Sequence, residues 1–156
     1  MLQSVRMSKL EYAHRYDDIA DSLYRLALYL LGDAADARYA MAEVFVEGYT
    51  TYAGKSFEQR MLAVLWQVIK DCEPVCGEAY SRNLLEAVTL SPEEADSARL
   101  FEMLGEMPLL ERAVLLLSVL QRQPTETIAW LLELPQGEVS RVLKQLCDKV
   151  RRTMAA

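Results

Sequence analysis

The side chains best placed to do chemistry lie near the C-terminal end, and the chemistry they suit is recognition of a polyanion. Arg141, Lys144, Lys149, Arg151 and Arg152 crowd into one stretch whose single carboxylate is Asp148. Gln136, Ser140 and Gln145 add hydrogen-bonding groups on the same run. Lysine and arginine meet phosphates, while arginine, glutamine and serine also reach base edges. The competing explanation is a solvated helix end, where cations favour the negative end of the helix dipole.

Elsewhere the candidates for catalysis are poor. His14 is the lone histidine and sits in an amphipathic pattern, which suits a surface or packed role better than a general base. Cys72 and Cys76 are four apart, but no second pair or nearby histidine completes a zinc site. The acid pairs Asp17-Asp18 and Glu93-Glu94 read as solvated or capping residues. No glycine-rich phosphate loop or nucleophile elbow is present, so the expectation is a non-enzyme that needs neither cofactor nor metal.

The elements that must position the cationic stretch read as two short helices hinged at Leu134 to Gly137. Ile128, Ala129 and Leu132 share one helical face; Val139, Leu143, Leu146 and Val150 share a face of the next. Pro135 cannot continue the first helix but can open the second. That layout is a helix-turn-helix, whose second helix enters the major groove in DNA-binding proteins; a helical hairpin that merely packs has the same spacing.

Upstream, apolar periodicity predicts a helix over Ser8–Leu31, with Tyr16, Ile19, Ala20, Leu23, Leu26, Ala27 and Leu30 inward and Gly32 stopping it. Asp33 caps a second helix that buries Ala37, Met41, Val44, Phe45 and Tyr52. After Gly54-Lys55, Ser56 and Gln59 form a capping box for a third, with Met61, Leu62, Leu65, Val68, Ile69 and Cys72 inward. Trp66, among these apolar neighbours, reads as core. From Glu73 to Thr89 the pattern weakens around Pro74 and Gly77, leaving one short helix at Asn83–Val88. Ser91-Pro92-Glu93-Glu94 is a restart signal, and helices follow over 92–106, 109–121, 125–134 and 136–153. The expected fold is all-α: a three-helix bundle over 1–72, a linker over 73–91 and a helical domain over 92–156.

With 156 residues, 52% of them hydrophobic, the chain can bury a core. It has neither an uninterrupted apolar run long enough for a membrane span nor the order of a secretory signal, so the expectation is cytoplasmic. Three cysteines without an export signal argue against a disulfide framework. The net charge of −6 excludes a surface that attracts nucleic acid everywhere and confines such binding to a local patch. Residues 73–100 hold two basic and six acidic residues, and this acidic run beside the basic end could close on it electrostatically.

Two stretches carry a family resemblance. Leu31-Gly32-Asp33-Ala34-Ala35-Asp36-Ala37, then Glu43-Val44-Phe45, Tyr49 and Gly54-Lys55-Ser56-Phe57, is similar to region 2 of the extracytoplasmic-function sigma factors. Met107-Pro108-Leu109-Leu110-Glu111-Arg112-Ala113-Val114-Leu115-Leu116-Leu117, with the stretch from Ile128-Ala129 to Leu143, resembles their region 4. The resemblance implies a transcription initiation factor that binds core RNA polymerase through Asp36, Glu43 and Glu47. It further implies promoter DNA contacts from Gln136, Ser140, Arg141, Lys144, Gln145, Lys149, Arg151 and Arg152.

The departures from the family pattern fall on working positions. Arg38, Tyr39 and Ala42 replace polar residues of the polymerase-binding helix, and Glu138 stands where the reading helix usually has threonine. Val142 occupies a place in the triplet that usually ends in arginine, which widens the apolar stripe, and Glu133 fills a turn position that is commonly glycine, so a differently shaped hinge is expected. These changes keep an alternative open: a degenerate sigma-like protein that binds a partner sigma, an anti-sigma protein or polymerase without reading DNA.

Overall fold

The computed structural model describes residues 7–50, 56–88 and 95–155. Among these the chain is all-helical, with α1 (Lys9–Leu31), α2 (Ala34–Gly48), α3 (Phe57–Ile69), α4 (Gly77–Ala87), α5 (Ala95–Gly105), α6 (Leu109–Val119), α7 (Thr125–Leu132) and α8 (Gln136–Ala155). The expected restart at Ser91-Pro92-Glu93-Glu94, the break at Gly54-Lys55 and the burial of Tyr52 lie outside the described residues.

Local chemistry sets the boundaries. Ser8, Asp33 and Ser56 each accept a hydrogen bond from the backbone N–H three residues on, at 3.1, 2.9 and 3.1 Å. Each removes one orphan donor from a helix start. Gly32 ends α1 with φ 76°, and a Cβ there would lie 2.5 Å from the Tyr80 ring. Glycine is therefore required twice over, by backbone conformation and by close approach.

The buried residues form one continuous cluster drawn from all eight helices. In α1, Leu23, Leu26, Ala27 and Leu30 are buried as expected, while Ile19 and Ala20 are half-buried. Tyr12 and Tyr16 from α1 donate to the Phe45 and Met41 carbonyls of α2 at 2.8 and 2.9 Å, which ties the first two helices together. Trp66 packs in the core of α3. Two expectations of inward-facing residues fail: Phe45 is 40% exposed, and Cys72 lies past the end of α3, exposed.

The segment expected to hold only a short helix at Asn83–Val88 is a longer helix, α4. It is pinned by the fully buried Tyr80 and Leu84. Tyr80 donates its hydroxyl to Tyr29 O, and Asn83 Nδ2 donates to Gly32 O at 2.9 Å. Just before α4, the Val75 N–H bonds Leu31 O at 2.9 Å. These tertiary contacts on the Tyr80–Leu84 face hold it helical.

At the centre lies Arg112, 0% exposed. Its guanidinium donates to Leu104 O and Met107 O through Nε (2.7 and 3.0 Å) and to Leu30 O through Nη1 (2.9 Å). Nη2 reaches Val75 O at 2.9 Å, Gly105 O at 3.2 Å and Cys76 Sγ at 3.5 Å. The guanidinium also sits over the Tyr80 ring, 4.4 Å from its centroid. One side chain thus closes the ends of α1 and α5 and the turn before α4.

Candidate nucleic-acid interface

The pair α7–α8 forms the expected bihelical corner. Ile128, Ala129 and Leu132 of α7 are buried, as are Val139 and Leu146 of α8, while Val142, Leu143 and Val150 are half-buried against the same cluster. Val139 and Leu146 sit seven apart, two turns along one face, so they fix the rotation of α8 about its axis.

The turn is made by Glu133, with φ 57° and ψ 46°. The following N–H, of Leu134, reaches back to Ala129 O at 2.9 Å, a 6→1 bond that satisfies an orphan carbonyl. The hinge therefore takes its bend from a non-glycine residue in the left-handed region. Pro135 then opens α8, its carbonyl accepting from the Glu138 and Val139 N–H groups at 3.0 and 3.2 Å.

With its apolar face sealed, α8 turns outward Gln136, Ser140, Arg141, Lys144, Gln145, Lys149, Arg151 and Arg152, all of them exposed. All eight residues expected to contact DNA are exposed, but they spread over more than half of the helix circumference, and Lys149 lines a separate groove with Arg99, Glu102 and Glu106 of α5. They are not all uncommitted. Arg141 forms a two-point pair with Glu138 (Nε to Oε1 at 3.1 Å, Nη2 to Oε2), and its Nη1 donates to Gln145 Oε1 at 3.2 Å. The hydrogen bond from Arg141 holds the Glu138 carboxyl below the usual carboxylate range and raises the guanidinium in turn. Arg151 pairs with Asp148 at 3.4 Å. Both pairs are exposed, so each is weak and open to exchange with a phosphate.

The residues expected to bind polymerase lie on α2. Asp36 and Glu47 are exposed and Glu43 is half-buried. Glu43 and Glu47, one turn apart, line a groove of about 770 Å³ between α2, α3 and α7; Asp36 does not. Ala63, Val64 and Val68 of α3 floor this groove, and Trp130 of α7 stands across it. Tyr39, one turn before Glu43, is 71% exposed, and Trp130 is 45% exposed.

In the sequence Tyr39 stands out only as a departure from a polar family position, and Trp130 carries no signal. The usable signal was spacing: Ala35, Tyr39, Ala42 and Val46 repeat at helical intervals on the side of α2 opposite Ala37, Ala40 and Val44. A helix with apolar residues on both faces has a second contact to make.

Among the described residues no cluster of histidine, cysteine, aspartate and glutamate is placed to hold a metal ion, and no helix is long and apolar enough to cross a membrane. No protein-family model matches the chain, and no curated protein matches it.

Proposed function

We propose that this protein is a sigma-like transcription initiation factor, using α2 to hold core RNA polymerase and the outward face of α8 to contact promoter DNA. The observation that carries the reading is the rotation of α8. Val139 and Leu146 are buried against the core while Arg141, Lys144, Arg151 and Arg152 are exposed away from it, and Lys149 is exposed at the edge of the α5–α8 groove beside Glu102 and Glu106. A local cationic surface on an acidic protein confines phosphate binding to that face. In this reading Gln136, Ser140, Arg141, Lys144 and Gln145 meet base edges, and Lys149, Arg151 and Arg152 meet phosphates.

The test is reconstitution. Core polymerase, the protein and a randomised duplex library are combined, and bound DNA is recovered and sequenced. The expected result is a recurring short motif whose recovery needs both proteins and is lost when Lys144 and Lys149 become glutamine. Recovery of the same DNA by polymerase alone contradicts the proposal.

A second reading, a degenerate sigma-like protein that works through protein contacts alone, is favoured by one observation: the aromatic surface of Tyr39 and Trp130 around an open groove. Retention of polymerase binding with no recovered motif decides for it.

A further inference from the structure

We propose that Cys72 and Cys76 form a reversible redox pair whose disulfide unlocks the Arg112 junction, a device independent of whether α8 reads DNA. Both thiols are free and exposed, and both lie in the non-helical stretch between the end of α3 at Ile69 and the start of α4 at Gly77. A bond between them therefore requires no residue of either helix to unwind. The same stretch is one of the parts that Arg112 holds together.

In the reduced protein the two sulfurs have different partners. Cys72 Sγ turns back along α3 toward Val68 O, at 3.8 Å. Cys76 Sγ donates to Pro74 O at 3.4 Å and accepts from Arg112 Nη2 at 3.5 Å. Between them, the Val75 N–H bonds Leu31 O and the Val75 carbonyl accepts from Arg112 Nη2, each at 2.9 Å. A disulfide needs its two Cα atoms within about 7 Å and a set torsion about the S–S bond. Closing this one draws Cys76 from the guanidinium and bends residues 73–75, taking Val75 off its partners. Of the Nη2 acceptors among the described residues, Gly105 O at 3.2 Å remains. Stranding a donor of a fully buried cation is costly, so the junction resists the disulfide and the closed disulfide loosens the junction. These are one coupling free energy read in two directions. What is loosened is the joint between the halves of the chain, because Arg112 of α6 also reaches Leu30 O and Val75 reaches Leu31 O at the end of α1.

The chemistry is thiol–disulfide exchange with a low-molecular-weight disulfide as oxidant. One cysteine thiolate attacks that disulfide, forming a mixed disulfide and releasing one small thiolate. The other cysteine thiolate attacks the protein sulfur of the mixed disulfide, forming the Cys72–Cys76 bond and releasing the second. Two protein thiols are oxidised, one small disulfide is reduced to two thiols, and the two protons pass through solvent to the released thiolates. A bond closed against the pull of Arg112 is strained and exposed, and such disulfides are the readily reduced ones.

The experiment incubates the full chain in glutathione buffers of increasing oxidised fraction, alkylates the remaining thiols and maps them by peptide mass spectrometry. Cys147 on α8, also exposed, is the internal reference. An internal Cys72–Cys76 bond should form and be reversed by dithiothreitol, while Cys147 forms at most a mixed disulfide. Hydrogen exchange followed by NMR should show the Val75 amide exchanging at least about tenfold faster in the disulfide form. Cys72→Ser, which leaves Cys76 and its Arg112 contact in place, should keep the reduced rate in the same buffers. Arg112→Lys weakens the resistance and should move the oxidation midpoint at least about fivefold toward the reducing buffers. Mixed disulfides without the internal bond, bonds between chains, or the same acceleration in Cys72→Ser would overturn the proposal. So would an internal bond that leaves the Val75 rate within about twofold, or an unmoved Arg112→Lys midpoint. Should Arg112→Lys fail to fold, the Val75 rate in the wild type decides.

Discussion

Arg112 shows how much one side chain can decide. A fully buried guanidinium is costly unless its donors are satisfied, and here five backbone carbonyls and a thiol surround it. Arg112→Ala strands those carbonyls in the core, so unfolding free energy in urea should fall by at least about 3 kcal/mol. Arg112→Lys keeps the charge yet lacks the planar fork, and it should recover only part of the loss. Glu138 makes the opposite case on the surface. Its carboxylate occupies Arg141 and repels phosphate, so Glu138→Gln should tighten duplex DNA binding roughly threefold or more at fixed salt. Weaker binding would mean that Glu138 contributes a favourable base contact, as an acceptor for a cytosine amino group, and unchanged binding would contradict the repulsion.

At the scale of elements, the hinge and α4 carry the argument. Glu133 holds a left-handed conformation that costs an ordinary residue about 1 kcal/mol. Glu133→Gly should therefore raise thermal stability slightly, and a clear loss would show that the side chain has a compensating partner. Gly32→Ala should cost more than 1 kcal/mol, since it adds a clash with Tyr80 to the strain of φ 76°. The corner α7–α8 was legible in the sequence because Ile128, Val139 and Leu146 state its apolar face at helical spacing and Pro135 marks its start. The full length of α4 was not, because Pro74 and Gly77 read as breakers, whereas Gly77 begins the helix with φ 65°. Arg112 was hidden for another reason: a lone arginine in a sequence looks like a surface cation, and only folding brings the carbonyls of Leu30 and Val75 to it. The groove was barely visible, since of the outer apolar stripe of α2 only Tyr39 lines it, and Trp130 stands across from it only in the folded chain.

For the whole molecule, the continuity of the core from α1 to α8 is the feature with consequences. Trp66 sits in α3 and Trp130 in α7, so tryptophan fluorescence samples both halves of the sequence. Urea unfolding followed by fluorescence and by far-ultraviolet circular dichroism should give one coincident transition; two separated midpoints would show that the ends unfold independently. Alkaline pH provides a second probe of the same core. Burial raises the Tyr12 and Tyr80 phenols and pushes Tyr16 up to about 12. The stabilisation from keeping these phenols neutral is complete below pH 10 and is lost as pH rises toward 12. The melting temperature should thus drop over that window in step with tyrosinate absorbance.

The most direct test of the central claim is the salt dependence of duplex DNA binding in the presence of core polymerase. With α8 turned outward as described, log affinity should fall linearly with log salt, and each of Lys144→Gln, Lys149→Gln and Arg152→Gln should reduce the slope by about one. A slope that none of the three substitutions changes would contradict the assignment of this face to DNA.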